Sequence, residues 1–256
     1  MKNKFFNREI CVCAHLTQTR YAQKACAEMR LRMSYNLAID GPAGAGKSTI
    51  ARQIAKQMGF IYVDTGAMYR AMGLYLMRQG INPEETENIS KECGKAKISI
   101  EYQNGEQVVL LNGENVNGLI RTEEVSRMAS LTSANPAVRA AMLDLQRNLA
   151  RTQDVVMDGR DIGTVILPDA DCKIYLTASS ATRAKRRYEE LVAKGELCDL
   201  ETIEKDIIAR DYQDMHREIA PLKQAEDAVL VDSSEMTIEE VVERIIRICQ
   251  ERKVQG

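Results

Sequence analysis

The stretch "DGPAGAGKST", Asp40 to Thr49, constrains this chain more than any other. Gly41 to Ser48 fits GxxxxGK[ST], follows the apolar run "YNLAID", and precedes a helical pattern in which Ile50, Ala51, Ile54, Ala55 and Met58 share one face before Gly59. A strand, a glycine-rich loop and a helix in that order make a cradle for phosphate. The glycines let backbone N–H groups converge on phosphate oxygens at the helix N-terminus, where the dipole favours an anion. Gly41, Pro42, Ala43, Gly44, Ala45, Gly46, Lys47, Ser48 and Thr49 are therefore expected to hold a triphosphate. Lys47 would reach its β- and γ-phosphates and Ser48 would ligate Mg²⁺, while Thr49 either assists the phosphates or caps the helix.

From residue 35 onward, short apolar runs ("YNLAID", "FIYVD", "DVVMD", "CKIYLTA", "AVLVDSS") alternate with amphipathic helical stretches. That alternation predicts an α/β fold with a parallel sheet wrapped by helices. Asn135-Pro136 predicts a capped helix start, and Thr237 with Glu240 a capping box on the last helix. "KISIEYQNGEQVVLLNGENV", Lys97 to Val116, breaks the alternation and reads as two antiparallel strands joined by Asn104-Gly105. Helices over Glu123 to Thr132 and Pro136 to Arg151 follow it.

A triphosphate loop alone does not name an acceptor, so three further clusters matter. In "VDTGAMYR", Asp64 ends the second strand and Thr65-Gly66 opens a helix, the carboxyl-end position where open α/β sheets bind ligands. Taken singly, Thr65 reads equally as a helix cap and Arg70 as a surface cation. In "VVMDGRDIG", Asp158 ends an apolar strand in the manner of an acid that helps hold Mg²⁺, directly or through water, and Arg160 and Asp161 turn into the cleft. The third cluster is helical: "ARDYQDMHR" spaces Arg210, Asp214 and Arg217 onto one face, and "RAKRR" brings Arg183, Arg186 and Arg187 together on another helix. A charged helix face is by itself a solvated face. Phosphoryl transfer nevertheless needs cations around the γ-phosphoryl oxygens, where one arginine contributes roughly 10³ to 10⁵ in rate.

The motifs "IDGPAGAGKST", "DTGAMYR", "IRTEEVS", "MDGRDIGT", "ARDYQDMHR" and "APL", in that order and spacing, resemble the bacterial cytidylate kinases over about Tyr35 to Arg252. The resemblance implies the nucleoside monophosphate kinase version of the P-loop fold. Its parts are a five-stranded parallel sheet flanked by helices, an inserted CMP-binding lobe of antiparallel hairpin plus helices (about 97–151), and a mobile lid (about 180–200). It divides the chain into an N-terminal extension over 1–33, either disordered or lying upstream of a start at Met33, and a kinase domain over 34–256. It further implies transfer of phosphate from ATP to CMP or dCMP, with Mg²⁺. Ser130, Arg139 and Asp161 would read the cytosine edge, and Arg210 and Asp214 would hold the ribose. Arg70, Arg160 and Arg217 would bind the acceptor phosphate, and Thr65 would line the same pocket. Lys47, Arg160 and the lid arginines Arg183, Arg186 and Arg187 would carry catalysis. Without the resemblance, Ser130 and Arg139 are ordinary helix residues.

Composition closes off other classes. Net charge is −2, from 35 Lys/Arg against 37 Asp/Glu. Residues 1–33 hold seven Lys/Arg and two Glu, or +5, which leaves −7 for the remainder; a mildly acidic body argues against nucleic-acid binding. No run approaches the roughly 20 apolar residues of a membrane span, and the seven cysteines lack the spacing of a disulfide framework or a CxxC zinc site. The expectation is a cytoplasmic monomer with reduced thiols, Cys172 being a small core residue. A kinase for UMP or AMP would share the loop but not the set Ser130, Arg139 and Asp161, and a nucleotide-binding switch would need a partner surface.

Overall fold

The computed structural model describes residues 34–255; the expected N-terminal extension, 1–33, lies outside them. Strand β1 (Asn36–Asp40) leads through the glycine loop to α1 (Lys47–Met58), then β2 (Ile61–Asp64) and α2 (Thr65–Arg78). Further along the chain, β6 (Val155–Gly159), β7 (Cys172–Thr177) and β8 (Val229–Asp232) complete a five-stranded sheet in the order β2-β6-β1-β7-β8. All its pairings are parallel. The sequence encodes this through short, nearly continuous apolar runs, which suit strands covered on both faces. Leu37 and Ile39 of β1 pack toward α1 and α8 (Ile238–Gln255), while Ala38 joins Val63, Val155 and Met157 on the opposite face.

Register decides where the chemistry sits. Ile39 and Asp64 both align with Asp158, and Asp40 aligns with Gly159. The carboxyl ends of three adjacent strands therefore place Asp40, Asp64 and Asp158 along one edge, the edge at which open α/β sheets take ligands. Helix α1 starts directly behind the loop and stops at Gly59, whose φ of 73° is the left-handed conformation that glycine accepts without strain.

Between β2 and β6 the chain makes a lobe. It comprises α3 (Thr86–Glu92), strands β3 (Ile98–Gln103), β4 (Glu106–Leu111) and β5 (Glu114–Asn115), and helices α4 (Glu123–Thr132) and α5 (Pro136–Thr152). The expected hairpin turns at Asn104-Gly105, with φ of 54° and 80°. The lobe's sheet has three strands rather than the two expected over Lys97 to Val116. A second Asn-Gly pair, Asn112-Gly113 with φ of 52° and 86°, turns the chain again and starts β5. Met68, Met72 and Leu76 of α2 form a second core with Leu111, Val125, Met128, Val138 and Met142, so α2 joins the lobe to the body. Each such side chain, fully buried, contributes about 1.5–3 kcal/mol. Helices α2 and α4 approach to backbone contact at Gly73, where a Cβ would lie 3.0 Å from the Ala129 nitrogen.

The expected caps form. Asn135 accepts from the amide of Ala137 at 2.9 Å, and Thr237 and Glu240 exchange the two hydrogen bonds of a capping box at 2.8 and 3.2 Å. The segment expected to form a lid comprises α6 (Ser180–Ala193) and the connection to α7 (Leu200–His216). Arg217 does not continue the α7 face as its spacing suggested; its ψ of 142° lies outside the helix, because the chain turns away toward β8. No helix among the described residues is long and apolar enough to cross a membrane.

Candidate active site

The strand ends open into a cleft of about 730 Å³. At its centre lies the glycine loop. Gly41 has φ of 151° and faces the neighbouring strand so closely that a Cβ would sit 1.9 Å from the carbonyl oxygen of Leu176. Gly44 and Gly46 have φ of 73° and 84°, and the turn they make leaves the first amides of α1 facing the cleft. Gly41 and Pro42 themselves lie beneath the lining, whereas Ala43 to Thr49 form it. Lys47 is buried, and its ammonium donates to the carbonyl of Pro42 at 2.6 Å, across the mouth of the loop. Burial, then the nearby Arg160, hold its pKa well below the ordinary lysine value against the pull of Asp158, Asp214 and Asp40. An anion in the loop would reverse that bias.

Ser48 donates to one oxygen of Asp158 at 2.9 Å, and the phenol of Tyr62 donates to the other at 3.0 Å. Burial, reinforced by Asp64, pushes the Asp158 carboxyl up to about 6, opposed by Lys47 and those two hydroxyls. Thr65 is buried and donates to the Asp158 carbonyl at 2.7 Å. Asp64 caps α2 by accepting from the amide of Ala67 at 2.8 Å and pairs with Arg70 at 3.1 Å, so the cap of this helix is Asp64 rather than Thr65. Gln107 of β4 brackets Asp64, accepting from its amide at 2.8 Å and donating to its carbonyl at 3.2 Å.

On the lobe side, Arg139 of α5 forms a buried ion pair with Asp161, donates to the Ser133 carbonyl at 3.2 Å and lies over the ring of Tyr69 at 5.7 Å. Arg217 reaches the other oxygen of Asp161 at 3.5 Å. Arg160 pairs with Asp214 at 2.8 Å. Ser130 lines the same wall from α4. Arg210 makes no ion pair among the described residues; it lines the cleft and is exposed to solvent. Its pKa is held down by desolvation first and by Arg160 and Arg70 next.

The three arginines of α6 differ in setting. Arg183 is buried: it donates to the carbonyls of Ala178 and Ala43, each at 2.9 Å, and pairs with Asp211 at 2.6 Å, which ties α6 and α7 to the phosphate loop. Arg186 donates to the Ser233 carbonyl at 2.7 Å. Arg187 is exposed and pairs with Glu190 at 3.0 Å.

The family model for cytidylate kinase matches residues 37–251. A cytidylate kinase of Geobacillus sp. is 47% identical over 222 residues, which cover 87% of this chain and 99% of that protein. Those of Caldicellulosiruptor saccharolyticus and Lactobacillus gasseri are each 48% identical, over 83% and 87% of this chain and 94% and 97% of theirs.

This chain belongs to the cytidylate kinase family.

It is a nucleoside monophosphate kinase. In this family member one cleft brings together the residues that sequence singled out, from Lys47, Ser48 and Asp158 through Thr65 and Arg70 to Ser130, Arg139, Arg160, Asp161, Arg210, Asp214 and Arg217, with Arg183, Arg186 and Arg187 contributed by α6. Sequence reasoning missed the supporting groups. Tyr62, Tyr69, Gln107, Ser133 and Asp211 bond to site residues 6 to 96 positions away in the chain, or stack on them, and no local pattern marks such contacts. It also missed the part of the cleft lined by Ser233, Met236, Thr237, Ile238 and Val241, in and just before the first turn of α8.

Proposed function

We propose that this kinase transfers the γ-phosphoryl group of ATP to CMP and dCMP, giving ADP with CDP or dCDP. The observation that carries this reading is the Arg139–Asp161 ion pair, buried at the lobe end of a cleft whose centre is the phosphate loop. A cytosine edge presents adjacent donor and acceptor groups, and a buried cation–carboxylate pair supplies the complement while rejecting a base that leaves either member unmatched. Ser130 stands beside it. Asp214 and Arg210 face the sugar, and Arg70, Arg160 and Arg217 the acceptor phosphate.

The other end of the cleft suits the donor base: Met236, Ile238 and Val241 offer an apolar wall and Arg186 and Arg187 a cationic roof. An acceptor phosphate oxygen attacks the γ-phosphorus in line as the bond to the β-bridging oxygen breaks. The acceptor phosphate, with a second pKa near 6, is largely ionised at neutral pH, so no protein base is needed. Lys47, Arg160 and the lid arginines stabilise the charge that spreads over the γ-phosphoryl oxygens. The oxygens of Ser48 and Asp158, adjacent at the loop's end, suit Mg²⁺, which keeps several waters and takes few protein ligands. When bound, that ion neutralises phosphate charge. Residues 34–256 would act as one kinase domain, with the part of the lobe over about 97–151 carrying the acceptor and residues 180–200 closing over the donor. One chain furnishes both halves of the cleft, which supports a monomer.

An acceptor screen with ATP and CMP, dCMP, UMP or AMP tests the reading. CMP and dCMP should turn over fastest; faster turnover of UMP or AMP overturns it.

A further inference from the structure

Asp40 heads the loop motif, yet it does not line the cleft. It is buried at 5% exposure, and no cation pairs with it among the described residues. One carboxylate oxygen accepts from the amide of Ile162 and the other from the amide of Gly163, both at 2.7 Å, across more than 120 positions of chain. An unpaired buried carboxylate is costly, and bonds from two consecutive amides are what offset it here.

What these amides anchor is the turn that leaves β6 at Gly159. Asp40 already aligns with Gly159 in the sheet, and three residues later the chain returns to its side chain. Arg160 and Asp161 project from the span between these two anchors. The backbone of Asp161, at φ −142° and ψ 28°, lies outside the regular wells, so local preference does not hold it in place. The fit is close on the far side as well, since a Cβ on Gly163 would lie 3.1 Å from Lys173 Cδ and 3.4 Å from the Asp40 carboxylate.

We infer that Asp40 is a positioning residue that fixes the turn carrying Arg160 and Asp161 against the phosphate loop, and so holds the acceptor half of the site in register with the donor half. This rests on the proposed function for its consequence in catalysis, but the clamp itself is independent of that function. Asp40→Asn keeps size and one acceptor while turning an N–H toward one of the two amides. The KM for CMP should rise at least about tenfold and the CMP-over-UMP preference in kcat/KM should fall about fivefold or more, with the Kd for ATP within about threefold of the parent. An unchanged KM and preference, or a parallel loss of ATP binding, overturns the inference. In the parent protein without nucleotide, the Ile162 and Gly163 amides should exchange with solvent at least about 100-fold more slowly than free peptide amides. Unprotected amides there overturn the inference even if the variant fails to fold. A parent protein that ignores CMP overturns the proposed function instead and leaves the exchange result to decide the clamp.

Discussion

Replacing Arg139 by alanine tests the proposed base-reading role of the Arg139–Asp161 pair through stability and selectivity at once. The side chains of Arg139 and Asp161 are 10% and 7% exposed. Breaking a buried pair from one side costs about 3–5 kcal/mol, because the remaining charge stays buried. Asp161 keeps Arg217 at 3.5 Å, so the low end, about 3 kcal/mol, is expected for Arg139→Ala. Removing Asp161 as well abolishes the stranded carboxylate, so the double variant should be more stable than Arg139→Ala, with a coupling of about 2 kcal/mol. Selectivity follows from the same contacts. A hydrogen bond to a charged group contributes about 1.5–3 kcal/mol, which at about 1.4 kcal/mol per decade is roughly 10- to 150-fold in the kcat/KM preference for CMP over UMP. Urea unfolding of the four proteins in the cycle and a coupled ADP-release assay with both acceptors give the two readings. If Arg139→Ala keeps the parent preference within about twofold, or the two single costs simply add, the pair does not read the base.

Three shorter tests follow from other parts of the site. Gly41→Ala should destabilise the fold by about 3 kcal/mol or more in urea, since its Cβ would meet the Leu176 carbonyl at 1.9 Å; a loss below about 1 kcal/mol would contradict the close approach. Arg187→Ala should change stability by no more than about 0.5 kcal/mol because its ion pair is exposed, so any fall in kcat belongs to chemistry. Arg183→Ala should instead cost about 3–5 kcal/mol by stranding Asp211, and equal stability of the two variants would refute the distinction. Burial pushes Asp40 and Asp158 up to about 6 from 3.8, so the folded chain binds these protons more tightly than the unfolded chain does. Above pH 6 the penalty of burying both charges is fully present, and as pH falls toward 4 it is relieved. Exposed acids held low by hydrogen bonds, such as Asp199 and Asp232, weaken the fold only below about 4. Urea midpoints should therefore be higher at pH 5 than at pH 7.5 while kcat/KM is lower at pH 5; a lower midpoint at pH 5 would refute the burial argument.

The fold and the cleft were legible in sequence to different depths. The sheet was readable because strands covered on both faces leave continuous apolar runs, and α5 because Asn135-Pro136 marks its start. The strand β5 was not, since two residues are too short for a periodic signal and only the second Asn-Gly pair announces it. Individual site residues were legible where a motif fixes backbone and chemistry together, as at Lys47 and Ser48. Ser130 and Arg139 sit in helices with no local mark, and only the resemblance to the family singled them out. The partners Asp211 and Tyr62 depend on tertiary placement, which spacing along the chain does not encode.

The Arg160–Asp214 pair, at 2.8 Å, bears on tolerance toward the sugar. A pocket rejects a substrate lacking a hydroxyl when that absence strands a buried polar group. Asp214, the carboxylate proposed to face the ribose, already has the Arg160 guanidinium on one oxygen and Arg217 4.0 Å from the other. A deoxynucleotide would therefore forgo one hydrogen bond without leaving an orphaned charge behind. Under the proposed function, a ribonucleotide and its deoxy counterpart would both be accepted, because Arg160 already partners Asp214 without the substrate.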